Sequence, residues 1–504
     1  EARHRLWHWL CRANVRWSGV VEERARRLRS PGCPGLGRPR LAANNDRPGP
    51  VFALLCRSWG DPMCCGPPEI SSRRLATAKF APPMRTHLTA ASLVFVTNLA
   101  SAQDRPVAAS PDAIRYLEAA LTQIEQGSRV YSTDWQALRT KALAAIAAAG
   151  ASTPADTYPA IRAALGGLGD PHGRLLEPDA AKWLASRRPA KSTGLLVVPR
   201  DAIVAQVVPG SPAAAAGLVV GDRIVAVEGV PDFAELQRFE LERLLRHGQR
   251  PDRSTAPLQL SVRTGTAEPR AVEVSLAAVD EHLAPTGRRL DGDIAYLELP
   301  GASGPKAADY DDAVHALLGQ LDDGKLRGCI VDLRRNTGGK VEPMLASIGP
   351  LAGSGKLGAY VSAHNSSPWS YDGTRGAAIF EGYELANVAK PHPVRDDLPI
   401  AVLTGPMTAQ AGEALVVAFA GRARTRRFGE GTCGVPVGTT TKALPDGAML
   451  VLTVTVQADR NGTRYEGVIP PDEALATDWT RFGAADDPVV VAASRWLQSL
   501  DQAK

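Results

Sequence analysis

The chain has 504 residues, 44% of them hydrophobic and 22% charged, a composition that buries cores and a length that suits about three domains. Collagen-like, disordered and polytopic membrane classes are excluded on that balance. The formal charge of +5 is local: residues 1–83 hold 15 of the 58 Lys/Arg and 6 of the 53 Asp/Glu, and the chain from Gln103 onward stands at −5, which excludes a nucleic-acid surface.

Residues 1–83 carry no sustained hydrophobic periodicity and five of the seven cysteines (Cys11, Cys33, Cys56, Cys64 and Cys65), leaving Cys329 and Cys433 for the rest. They read as an over-extended gene model or as a disordered basic arm, not as part of the fold. Met84-Arg85-Thr86-His87, the apolar run Leu88 to Leu99 and Ala100-Ser101-Ala102 form, in order, the three parts of a signal peptide over 84–102. The apolar run is too short to span a bilayer. The expected mature protein starts at Gln103, is periplasmic or secreted, and keeps no membrane span.

Three units are expected in the exported part. Over 103–190 the spacing of Ile114, Leu117, Leu121 and Ile124, and later of Ile161, Leu165 and Leu168, predicts a helical unit, with Ser110-Pro111-Asp112 as a helix opening. Over 191–282 short β-rich runs alternate with turns at Pro209-Gly210 and Gly221-Asp222. Over 283–504 strands and helices alternate, which predicts an α/β core. There, Cys329 to Leu333 and Ile400 to Leu403 read as buried strands, Ala409 to Ala420 as a helix, and 353–397 as loop-rich.

The histidines stand singly, with no His-Glu-x-x-His and no phosphate-binding loop, so neither metal nor cofactor is expected. Two places offer chemistry. A strand running into Asn336-Thr337-Gly338-Gly339 exposes backbone amides fit for an oxyanion, or forms a plain tight turn. The helix after the Ile400 strand points its first amides into any cleft above the sheet.

Together the strings Gly169-Asp170-x-His172, Val208-Pro209-Gly210-Ser211-Pro212-Ala213, Asp332-Leu333-Arg334-x-Asn336-x-Gly338-Gly339, Thr408-Ala409-x-x-Gly412-Glu413 and Asp459-Arg460-x-Gly462 resemble the tail-specific (C-terminal processing) serine proteases over Ser110 to Glu473. The branch resembles tricorn protease and interphotoreceptor retinoid-binding protein. The resemblance implies a helical unit, a PDZ-like domain and a crotonase-like α/β peptidase core, acting on protein or peptide substrates through their C-termini. It implies His172 as general base, Glu466 as a residue orienting a polar partner near it, and the amides of Gly338 or Gly339 and of Ala411 as the oxyanion hole. Gly194-Leu195-Leu196 would receive a peptide carboxylate on backbone amides.

The position of the nucleophilic serine is occupied by Gln410, and a carboxamide has no hydroxyl for a base to unmask. Ala411, Gly173, Lys340, Glu342 and Val435-Pro436-Val437 depart as well, and the lysine of the Ser–Lys branch would fall at Val435. Thr408 and Cys433 are the candidate substitutes: Thr408 lies two residues early, and Cys433 reads as a small buried residue. Two functions follow: a serine-type peptidase, or a pseudoprotease that binds peptides through its PDZ-like domain and cleft.

Overall fold

The computed structural model describes residues 108–502 apart from 129–132, 171, 186–190, 237, 250–255, 304–306 and 308. The expected gene-model extension (1–83) and signal peptide (84–102) lie outside the described residues.

The described chain opens with α1 (Pro111–Gly127), α2 (Trp135–Ala149) and α3 (Tyr158–Gly167). Ser110 caps α1 by accepting from the Ala113 amide at 3.1 Å, and Pro111 stands at the first helical position, where its missing N–H costs nothing. Leu117, Leu121, Ile124, Ile161, Leu165 and Leu168 are buried as their spacing predicts, but the core they enter also contains Leu444, Ala448, Leu450 and Leu452 from much later in the chain. Asp446 joins the two regions: it accepts from the Tyr116 hydroxyl at 2.7 Å and from the Tyr158 hydroxyl. Asp446→Ala strands both phenols and is expected to cost about 1–3 kcal/mol, read as a lower urea midpoint. An unchanged midpoint would mean that the two phenols find water instead.

After β1 (Arg174–Leu176) and α4 (Pro178–Ala185) comes an antiparallel sheet of five strands in chain order. These are β2 (Leu195–Val198), β3 (Ile203–Val207), β4 (Arg223–Val227), β5 (Leu258–Arg263) and β6 (Arg270–Val274), with α5 (Pro212–Ala215) and α6 (Arg238–His247) between them. Leu241, Leu244 and Leu245 of α6 share one core with Val204, Ile224, Leu258 and Val274 of the strands.

The remainder contributes β7 (Thr286–Leu290), β8 (Ile294–Glu298), α7 (Tyr310–Leu321), β9 (Gly328–Asp332), α8 (Val341–Ala352), β10 (Gly355–Val361), β11 (Ser366–Asp372), β12 (Ala377–Phe380) and β13 (Tyr383–Asn387). It ends with β14 (Ile400–Thr404), α9 (Ala411–Phe419), β15 (Thr425–Gly429), β16 (Val437–Ala443), β17 (Met449–Asp459), β18 (Arg464–Tyr465), β19 (Glu473–Ala474) and α10 (Pro488–Gln502). One sheet has the order β19-β15-β14-β9-β8-β7 and is parallel except for β7. Every residue of β9 and β14 is buried, which is why both read as unbroken apolar runs: helices cover both faces of a parallel sheet. The second sheet, β1-β17-β10-β11-β12-β13, is antiparallel, with β16 and β18 also on β17.

The stretch 353–397, expected to be loop-rich, forms the four strands β10 to β13 of this second sheet. Its Gly, Ser and Pro residues obscure an alternation that burial makes plain: Ser367, Trp369 and Tyr371 point inward on β11. No helix among the described residues is long and apolar enough to cross a membrane.

Candidate active site

The carboxyl ends of β9 and β14 lie side by side in the parallel sheet, and the loops leaving them build a crevice of the kind in which α/β proteins bind ligands. Beyond β9, Asp332 and Arg334 anchor the loop. Arg334 is fully buried, paired with Asp332 at 2.6 Å and with Asp487 at 2.7 Å, and its guanidinium lies 4.4 Å over the Phe482 ring. Asp332 also accepts from the Tyr296 hydroxyl at 2.8 Å. Asn336 then donates to the Leu299 carbonyl at 2.9 Å, so that Gly338 and Gly339, with φ of 103° and 130°, pass directly under the second loop. A Cβ on Gly339 would stand 2.3 Å from the Ala302 carbonyl oxygen, so only glycine fits there.

Beyond β14 the chain turns through Thr408 and Ala409 to Gln410, which sits at φ 52°, ψ −110° immediately before α9. An L-residue held there is strained, by about 1–3 kcal/mol, and a strained strand–turn–helix residue is the geometry of a nucleophile elbow. Gln410 thus has the backbone conformation of such an elbow and a carboxamide side chain. Gln410 lies next to the glycine loop: the Cβ position of Gly338 is 3.5 Å from Gln410 Oε1. Of the expected oxyanion amides, Gly338 N–H is taken by Asn336 Oδ1 at 3.1 Å, whereas those of Gly339 and Ala411 enter no hydrogen bond among the described residues.

His172 stands on a different element, beside the loop at Gly434. Asp170 Oδ1 accepts from the His172 amide at 2.9 Å and from Thr453 Oγ1 of β17 at 3.1 Å, fixing the turn ahead of β1. The ring is buried against the Gly434 backbone, and among the described residues neither nitrogen makes a hydrogen bond of good geometry. Burial holds its pKa below the usual histidine value, with Asp170 opposing and Arg174 adding, so the ring is neutral, the form a general base requires.

Glu413, quoted in the Thr408–Glu413 string but given no role, proves to tie the parts together. Its carboxylate is fully buried and accepts from the amides of Gln410 (2.9 Å), Gly434 (2.8 Å) and Val435 (2.9 Å) and from Thr432 Oγ1 (2.7 Å). One side chain thus joins the elbow to the loop that covers His172. The signal in the sequence is a Glu three residues after a helix-capping position. Burial, opposed by these hydrogen bonds, pushes the Glu413 pKa up to about 7. A carboxyl with a raised native pKa stabilises the fold fully below its unfolded value and loses that contribution as pH rises through the native one. Between about pH 4.5 and 7 the loss is about 3 kcal/mol, so the wild-type urea midpoint should fall relative to that of Glu413→Gln across this window. Parallel pH profiles of the two proteins would contradict the assignment.

The other expected residues divide. Thr408 is buried with its hydroxyl donating to the Leu333 carbonyl at 2.8 Å, away from the cleft. Cys433 is buried with Ala409 and Val435 in a small apolar cluster. Val435 places an apolar side chain where a lysine base would stand, and its amide serves Glu413. Glu466 is exposed, with no hydrogen bond or ion pair among the described residues, although Val468 two residues on packs against Gly434. No group of three His, Cys, Asp or Glu side chains among the described residues is placed to hold a metal.

Gly194-Leu195-Leu196 opens β2 at the head of a narrow groove lined by Leu195, Leu196, Leu241, Glu242 and Arg246, together with Thr337 and Met407 of the two crevice loops. The groove and the elbow thus share a wall.

The sequence pattern of peptidase family S41 matches residues 293–475, and that of a PDZ domain matches residues 203–253. The nisin-resistance protein of Lactococcus lactis is 28% identical over 220 residues, 42% of this chain and 66% of the relative. The carboxyl-terminal-processing protease of Synechocystis is 26% identical over 348 residues, 67% of this chain and 75% of the relative. Among solved structures, the photosystem II D1 C-terminal processing protease shares the fold with a TM-score of 0.52 at 21% identity, covering 73% of this chain and 94% of its own. The crevice with its glycine loop thus lies in a region, residues 293–475, that is similar to peptidase family S41, and the region ahead of it, residues 203–253, is similar to a PDZ domain.

Proposed function

We propose that this chain is an exported peptide-binding member of the family that holds polypeptide segments in its groove and crevice without hydrolysing them by the serine route. The observation that carries the reading is Gln410 at the strained position before the helix: its carboxamide is no nucleophile, the nearby Thr408 hydroxyl is spent on Leu333, and Val435 is apolar. Polypeptide as the ligand follows from the S41 and PDZ matches and from relatives named as processing proteases. Binding by strand addition and side-chain pockets needs no nucleophile. Export follows from the signal grammar of 84–102.

A fluorophosphonate probe should leave the protein unlabelled, while peptides from a proteome digest should be retained on it and recovered intact. Labelling that His172→Ala abolishes would overturn the reading, and so would failure to retain any peptide.

A further inference from the structure

The groove beside β2 already has its polar groups committed, and this bears on what can lie in it. The Gly194 amide donates to Ser192 Oγ at 2.9 Å, and the Leu195 amide to Thr193 Oγ1 at 3.2 Å, both in buried surroundings. Leu196 stands in register with Gln206 of β3 within the sheet ladder. The two hydroxyls are themselves held: Ser192 donates to the Glu281 carboxylate, and Thr193 to the Leu245 carbonyl at 2.7 Å. Ser192 and Thr193 are both essentially inaccessible to solvent.

Among the described residues lining the groove, Arg246 is the cation, and its guanidinium is committed as well. It pairs with Glu242 at 2.8 Å and with Glu281 at 2.7 Å, donating through Nε, Nη1 and Nη2. Among the described lining residues, a peptide carboxylate entering here would lose its water and find no unspent charged donor, only the neutral Thr337 hydroxyl, while two carboxylates stand close by. Apart from Thr337, the rest of the wall is apolar: Leu195, Leu196, Val197, Pro199, Leu241 and Met407.

We propose that the groove receives an internal, extended, apolar stretch of a polypeptide rather than a free C-terminus. The proposal rests on the binding reading above and specifies its ligand. Apolar side chains packed against Leu241 and Met407 supply the attraction, which does not depend on a chain end.

The test is competition binding to the full chain, using one set of apolar decapeptides made in two forms, with a free C-terminal carboxylate and with a C-terminal amide. Amidated peptides should bind as well as the free acids, within about twofold, because no charge-assisted hydrogen bond is lost. In the Ser192→Ala/Thr193→Val double variant, which releases the Gly194 and Leu195 amides, the free acids should gain about tenfold over the amides. Wild-type preference for the free acids by tenfold or more would overturn the proposal, since it would place the chain end on the loop after all. Failure of either form to bind would instead overturn the binding reading itself, and this proposal with it. A wild type that binds both forms alike supports the proposal even where the double variant fails to fold.

Discussion

Gln410→Ser is expected to make the crevice reactive: the variant should be labelled by a fluorophosphonate and should hydrolyse peptides, where the parent chain does neither. The reason is that what is hardest to build is present. The backbone at 410 is already strained as an elbow is, the amides of Gly339 and Ala411 enter no hydrogen bond among the described residues, and burial keeps His172 neutral. Only the nucleophile is missing, and a hydroxyl on the elbow supplies it. Adding His172→Ala should remove about 10²–10⁴-fold of the new activity, the share that general-base catalysis carries. If Gln410→Ser gains nothing while its fold is intact, the departures at Ala411 and Gly173 have removed the machinery along with the serine. If it gains activity that His172→Ala leaves untouched, His172 is not the base.

Arg334→Ala should be among the most destabilising single changes, by about 3–5 kcal/mol in urea denaturation, because it leaves Asp332 and Asp487 buried with no cation between them. The loss should reach the crevice as well. Arg334 pins the end of β9 from which Asn336, Gly338 and Gly339 are hung, and it stacks on Phe482, whose neighbour Trp479 packs with Met407 and with Val198 and Ala205 of the five-stranded unit. Peptide retention should therefore fall along with stability. A cost below about 1 kcal/mol would mean that water or a compensating shift neutralises the two carboxylates.

The sequence makes the scaffold legible where local pattern and tertiary role coincide. The buried strands β9 and β14 are continuous apolar runs, the glycine loop follows one of them and a helix follows the other, whereas the roles expected for Gln410 and His172 rest on the resemblance and not on local pattern. What stays hidden is pairing between distant segments. Nothing near Arg334 indicates that its second partner is Asp487, 153 residues away. Nothing near Glu413 indicates that its carboxylate gathers the amides of Gly434 and Val435 as well as that of Gln410. The strands β10 to β13 escape for a related reason: they are short, rich in turn-forming residues, and join the sheet through β10, which pairs with β17 about a hundred residues later. The loop 194–196 is a subtler case. Its glycine and hydrophobic residues signal a peptide-binding loop, but only the folded chain reveals that two neighbouring hydroxyls take up its amides.

The most direct measurement is digestion of a peptide library by the protein from Gln103 onward, read by mass spectrometry beside its His172→Ala variant. The account predicts identical product lists, with no bond cut by either protein and with peptides retained by both. Cleavage by the parent chain that disappears in His172→Ala would contradict it, and would mean that a group other than Gln410 attacks the peptide bond.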